Sequence, residues 1–325
     1  MHNHRVNTGL TLMTRLDRRE FFHSTLWTAA GLPLCYAALG GRTAAAASTH
    51  ETAIAAHPLT DNIVLITGAG ANVVAIKGPD GLTLVDGGLE QRSKELVKIA
   101  LKATSTKRVT TLFNTHWHPE QTGSNERLGK DGAKIIAHTN TKLWLTRKIN
   151  VSWRPDPYGP FPAKALPNET FYSSAETKIG AEPVEYGHMT QAHTDGDIYV
   201  FLREANVLIG GGVVSADRWP VIDYQTGGWI AGLVGGLDTL IKLSDDHTRI
   251  IPADGPILTK ADLQAQRACY FTIYDRLIKC LMKGLGPDET LKTEPAKGIN
   301  PAWGEPTQFL TMAFKSLWGH VAPDA

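Results

Sequence analysis

Between Ile63 and Gly88 the chain reads IVLITG, ANVVAIKG and GLTLVDGG, three apolar runs of strand length with Gly or Asp-Gly at the breaks. Gly and Asp mark turns there because both tolerate backbone angles that branched residues resist. A chain that opens this way is committed to a sheet before it makes its first helix. In LEQRSKELVKIALKA (89–103) the period changes: Leu96, Val97, Ile99 and Ala100 recur at helical spacing and predict a helix. VTTLF (109–113) and KIIA (134–137) return to strand character. The second half follows the same manner, with EPVEY, IYVFLR and NVLIG as strands, AGLVGGLDTLIKL (231–243) as a helix, RIIP (249–252) as a strand and 260–284 as a long helix. Two β-rich halves, each followed by helix, predict a layered α/β sandwich and not a doubly wound sheet. WRPDPYGPFPAKALP (153–167) sets prolines among aromatics and reads as a surface loop. Residues 285–325 are interrupted by Pro and Gly and are expected to pack on the domain as a C-terminal extension.

The first 47 residues differ in kind. A basic head, a modestly apolar run from about Thr25 to Leu39 and a small-residue stretch ending TAAAA have the layout of a secretory signal, with Ala-x-Ala cleavage near Ala46 or Ala47. Arg18-Arg19 before Glu20-Phe21-Phe22 adds a twin-arginine signature, so periplasmic or secreted localisation is expected. The apolar run is too short to span a bilayer and contains Gly31 and Pro33, and Leu34 before Cys35 argues against lipid attachment. The expected mature domain, 48–284 with its extension, keeps 28 basic and 30 acidic residues by count, without a basic run. Nucleic acid is therefore excluded as a partner and a small-molecule substrate is expected, with no membrane span in the mature chain. Oligomeric state is not written in these residues. Cys269 and Cys280 share the predicted last helix, where eleven residues at about 1.5 Å rise separate them by roughly 16 Å, too far for a disulfide.

NTHWHPEQTGSN (114–125) places His116 and His118 two apart at the end of a predicted strand. Residues so spaced in an extended segment point to one side, so both imidazoles can converge on one ion. A third candidate, His193, stands in QAHTDGDIYVF just before another strand. Trp117 points away from its two neighbours and is expected in the core. His138 and His188 read as packed or surface histidines, His188 being near enough to His193 to line a cleft. Trp153, Tyr158 and Phe161 could cover an apolar substrate or simply pack their loop.

FNTHWHPEQTGSNERL, AHTDGDIYVF and NVLIGGG, with LVDGG upstream and IIPADGP downstream, resemble the metallo-β-lactamase-fold hydrolase superfamily from about Ile63 to Leu263. The resemblance implies a four-layer αββα sandwich with a zinc cleft at one edge of the paired sheets. His116 and His118 match the family's first ligand pair and His193 the third ligand of that zinc. Position 120 is Glu where the family has Asp, and Gln121 stands where it has His. The family's bridging carboxylate falls on Gly212, and its last second-metal histidine on Asp254. The first site is thus intact, while the second lacks its bridge and both imidazoles. Glu120, Gln121 and Asp254 offer only oxygen ligands, so one Zn(2+) per chain is expected. Asp86 and Asp197 match positions that brace the metal loops.

Three His nitrogens and an open position form the ligand set of a catalytic zinc, able to bring a bound water's pKa to about 7. The expectation is an exported zinc-dependent hydrolase that uses metal-bound hydroxide on an ester, lactone, thioester or cyclic amide, with Glu120 assisting proton transfer. Other readings stay open: Glu120 bonded to a backbone amide, Gln121 a satisfied polar residue, and Asp254 capping the turn before Pro256. So do a lyase or isomerase step with Glu120 as base, an inactive periplasmic binding protein that keeps the cleft, and a purely structural metal.

Overall fold

The computed structural model describes residues 53–299 and 303–321, so the expected leader (1–47) lies outside the described residues. The first sheet contains β1 (Ala55–Pro58), β2 (Ile63–Thr67), β3 (Val73–Lys77), β4 (Leu82–Val85), β5 (Val109–Phe113), β6 (Lys134–His138) and β7 (Glu169–Phe171), in that spatial order. β1 to β4 form an antiparallel meander, and β4 to β7 run parallel. Parallel pairing requires a crossover, which α1 (Ser93–Thr104) supplies between β4 and β5. The second sheet is made of β8 (Ser174–Ile179), β9 (Glu182–His188), β10 (Ile198–Leu202), β11 (Val207–Gly211) and β12 (Arg249–Pro252), ordered β12-β11-β10-β9-β8. Short helices α2 (Pro119–Thr122), α3 (Asn125–Lys130) and α4 (Thr139–Leu145) come after β5 and β6, whereas α5 (Ile230–Leu243), α6 (Lys260–Met282), α7 (Pro287–Lys292) and α8 (Thr307–Val321) belong to the second half.

Strand alternation builds the layers. In β2, Ile63 and Leu65 join the core between the sheets, while Val64 and Ile66 join Leu96 and Ala100 of α1 on the outer face. Between the sheets Val74, Ile76, Val85 and Phe113 meet Tyr186, Val200, Ile209 and Ile251. On the far side Tyr199, Phe201, Leu208 and Ile250 lie under Leu233 and Leu237 of α5 and Tyr270, Ile273 and Leu277 of α6. The molecule is therefore a mixed α/β fold of two packed sheets, the sandwich expected from sequence. α6 begins with a capping box in which Thr259 and Asp262 bond each other's backbone N–H. Cys269 and Cys280 on this helix are free thiols.

Two of the elements not read from the sequence have physical reasons for hiding. β8, SAETKI, lies at the edge of its sheet and has no apolar run; most of its side chains face solvent. α8 sits behind a Pro- and Gly-interrupted stretch, yet it puts Phe309, Phe314 and Leu317 into the same cluster as α5 and α6. Burying each such side chain stabilises by about 1.5–3 kcal/mol, so residues after 285 complete this core.

His138 closes β6 and caps α4: its Nδ1 accepts from Asn140 N (3.2 Å), and its Nε2 donates to the Tyr172 carbonyl (3.1 Å). The ring stacks on His188 at 3.7 Å, with 9° between planes. Burial, then the His188 ring, pushes His138 down to about 4, against the pull of Tyr172 O and Asp197. The neutral ring's contribution is complete above pH 6.5 and is lost as pH falls through about 4. His138→Asn keeps a capping acceptor without a titrating ring. Urea midpoints measured from pH 7 to pH 4 are expected to fall less steeply in this variant than in the parent chain.

Candidate metal centre

β5 delivers the chain from the core to the edge of the sandwich, where Asn114 shapes the loop that carries the histidine pair. Its buried amide donates to Gln121 O and Asn125 Oδ1, both at 3.0 Å, which holds the 114–125 loop closed. The β9–β10 connection brings His193 from the second sheet, and Ile198 N donates to Thr115 O (2.8 Å) across the two. His116, His118 and His193 form a near-equilateral triangle with ring centroids 4.6, 4.8 and 4.7 Å apart. One nitrogen from each lies within 4.8 Å of the others, and all three residues are buried.

Each ring has one nitrogen directed at a neighbour. His116 Nδ1 lies 3.0 Å from Thr115 Oγ1, which donates to the buried Asp86 carboxylate at 2.9 Å. Asp86 also accepts from Thr115 N at 2.8 Å, and burial pushes its carboxyl up to about 8 against these two bonds. Asp86 adopts φ +67°, a left-handed conformation that Asp tolerates better than most residues. His193 Nδ1 lies 3.4 Å from Asp197 Oδ1, while the other oxygen of Asp197 accepts from Thr194 N. His118 turns Nε2 toward Asp223 Oδ2 at 3.3 Å. These contacts leave Nε2 of His116 and His193, and Nδ1 of His118, for a common ion. Burial, followed by the neighbouring imidazoles, holds His116 and His118 well below the usual histidine range. Neutral rings keep the lone pairs that a metal needs. Three nitrogens with an open fourth direction fit zinc.

Asp223 is the residue that sequence reasoning missed. Its carboxylate is fully buried and ends a chain of contacts: Trp117 Nε1 donates to Thr226 Oγ1 (3.0 Å), and Thr226 Oγ1 donates to Asp223 Oδ2 (2.6 Å). The only local signal is an acid directly after buried Ile222 and ahead of Tyr-Gln-Thr-Gly-Gly, a turn without ligand spacing. A carboxylate on the far nitrogen of a ligating histidine fixes tautomer and orientation, and its loss typically weakens metal binding 10–100-fold. Asp223→Asn is accordingly expected to weaken zinc affinity by about that factor, read by competition with a chromophoric chelator.

The other sequence candidates do not join the histidine group. Glu120 lies half-buried in the first turn of α2, and neither it nor Asp254 belongs to the histidine group. Asp254 is exposed and pairs with Arg218 at 2.8 Å. Gln121 is buried, with its side-chain oxygen unbonded. At Gly212 there is no room for a side chain: a Cβ would stand 2.5 Å from His193 Nδ1. The proline-rich loop covers the centre, with the Trp153 ring 4.6 Å from that of His118 and Tyr158 Oη 2.8 Å from Thr122 Oγ1.

Comparison with known proteins agrees with this fold. The pattern of the Metallo-beta-lactamase superfamily matches residues 66–252. A Metallo-beta-lactamase type 2 from Bacillus cereus is 26% identical, over 58% of this chain and 68% of its own length. A metallo-beta-lactamase structure from Pontibacter korlensis superposes with a TM-score of 0.55 at 16% identity, covering 67% of this chain and 99% of that one. The stereoselective inverting sec-alkylsulfatase of a Pseudomonas species superposes with a TM-score of 0.63 at 14% identity, covering 84% of this chain. This chain spans about half the length of that alkylsulfatase, 51%.

Proposed function

Because the chain belongs to the metallo-beta-lactamase superfamily, we propose that it is a metal-dependent hydrolase holding a single zinc on His116, His118 and His193. The observation that carries this reading is the closed triangle of buried imidazoles, together with a glycine at 212 whose Cβ would collide with His193. When bound, zinc supplies an activated water and polarises a carbonyl. Asp86 through Thr115, Asp197 and Asp223 orient the three rings. Glu120, at the start of α2 and close enough to Tyr158 to act on it electrostatically, would be the group to accept a proton there once the metal is bound. Trp153 over His118 keeps bulk water from that face of the centre. Suitable substrates are esters, lactones, thioesters and cyclic amides.

A second reading, hydrolysis of a sulfate ester, is favoured by one observation: the alkylsulfatase superposition extends over 84% of this chain against 67% for the β-lactamase. Export through the twin-arginine route belongs to the same proposal, on the strength of Arg18-Arg19 and the apolar run behind them. The test is elemental mass spectrometry on purified protein, followed by a panel of the five substrate classes. About one zinc per chain with turnover of a panel member supports the proposal. Two metals per chain would restore Glu120, Gln121 and Asp254 as a second site, and a metal-free, inactive protein would leave a binding protein.

A further inference from the structure

The connection from β11 to α5, residues 212–229, brings Asp223 to His118 and is irregular apart from a 3-10 turn at Tyr224–Thr226. A connection of this length moves as a loop unless other parts of the chain tie it down. On its inner side it is bonded to the segment that carries His193. Asp223 N donates to His193 O (3.0 Å), and Trp229 N donates to Gln191 O and Ala192 O (3.2 and 3.1 Å). A Cβ at Gly228 would strike His193 O, so the two segments lie backbone against backbone.

On its outer side the same connection is gripped by the C-terminal extension on both flanks of Asp223. The Trp219 ring stacks on Phe309 (5.0 Å, 23°) and meets Trp303 edge-on at 5.2 Å, and its Nε1 donates to Gly304 O at 3.0 Å. At the far end the Trp229 ring lies flat on His320 (4.1 Å, 6°). Ile230 N, one of the first-turn donors of α5 that a helix leaves unbonded, donates to Ser316 Oγ of α8 at 3.2 Å. Ile222, next to Asp223, is fully buried in the cluster that holds Phe309 and Leu317. Asp223 thus stands between the metal loop inside and residues 303–321 outside. Its contact with His118 is already long at 3.3 Å, and a displacement of about 0.3 Å would end it as a hydrogen bond.

We propose that the C-terminal extension clamps this connection through Trp219 and Trp229 and so fixes Asp223 on His118, which makes Trp219, Trp229 and His320 positioning residues for the metal centre. Zinc affinity is then set in part by a helix that offers no ligand. The proposal rests on the zinc reading for that consequence, while the clamp itself belongs to the chain without metal.

The test uses the full chain and two measurements: zinc affinity by competition with a chromophoric chelator, and amide hydrogen exchange of metal-free protein. His320→Ala removes the stack on Trp229. It is expected to weaken zinc binding about three- to tenfold, part of the 10–100-fold that a carboxylate behind a ligand supplies. Peptides covering 221–229 should exchange faster in the same variant. His320→Phe keeps a flat ring against Trp229 and should restore most of both. In an Asp223→Asn background His320→Ala should add less than about a twofold loss, because the contact it protects is already gone. A merely structural role would give the same loss in both backgrounds. Trp219→Ala probes the other flank and should behave alike; His320 is only half-buried, so its variants carry the test even where Trp219→Ala fails to fold. An equal loss in both backgrounds overturns the proposal. So does unchanged exchange in His320→Ala, or faster exchange with zinc affinity unchanged. A parent chain that binds no zinc defeats the zinc reading alone, and the exchange rates then decide the clamp.

Discussion

His116→Ala is expected to purify with less than about a tenth of the zinc of the parent chain, as measured by elemental mass spectrometry. A three-nitrogen set has no redundancy, and neither Glu120 nor Asp254 lies in the group to replace a lost ring. Loss of a ligand outweighs the 10–100-fold that loss of a partner behind a ligand produces. The fold itself should survive, since the three large clusters on and between the sheets do not include His116. Added zinc stabilises a protein that binds it only when folded. The parent's Tm should therefore rise with zinc and the variant's should not. An equal rise in both would place the metal elsewhere.

Gly212→Asp is expected to damage the centre that a sequence comparison suggests it would complete. In the family pattern a bridging carboxylate occupies this position, so the substitution looks like restoration. The new Cβ, however, would stand 2.5 Å from Nδ1 and 2.7 Å from Cε1 of His193. Real Cβ contacts do not come so close, and the ring is buried beside Asp197, so it must leave its place in the triangle. Zinc content should fall well below one per chain, with activity lost in parallel. Gly212→Ala should do nearly the same, since the collision is made by the first carbon. Two zincs per chain in the Asp variant would contradict this account.

The sheets were legible because their physics is local. In β2 the alternation of Ile63, Val64, Leu65 and Ile66 serves a core on each face, and Gly or Asp punctuates each turn. His116 and His118 were legible for the same reason: two residues apart at a strand end, they had only to point one way. The features that could not be read depend on distant partners. Asp223 meets His118 across 105 residues of sequence, and nothing around it carries a period or a spacing. Gly212 showed in the sequence as a missing carboxylate, but only the packing of His193 shows that the space itself is gone. Asp254 fell in line with a family ligand, whereas its carboxylate is engaged by Arg218 at the surface.

The three imidazoles do not come from one sheet. His116 and His118 stand just after β5 of the first, and His193 precedes β10 of the second. A nascent chain with only its first half folded owns two ligands, and the third arrives when the second sheet docks. A metal held by all three imidazoles would be captured only once the sandwich closes, and not when the His-x-His segment emerges. Zinc capture followed in time during refolding would report the moment at which the two halves meet.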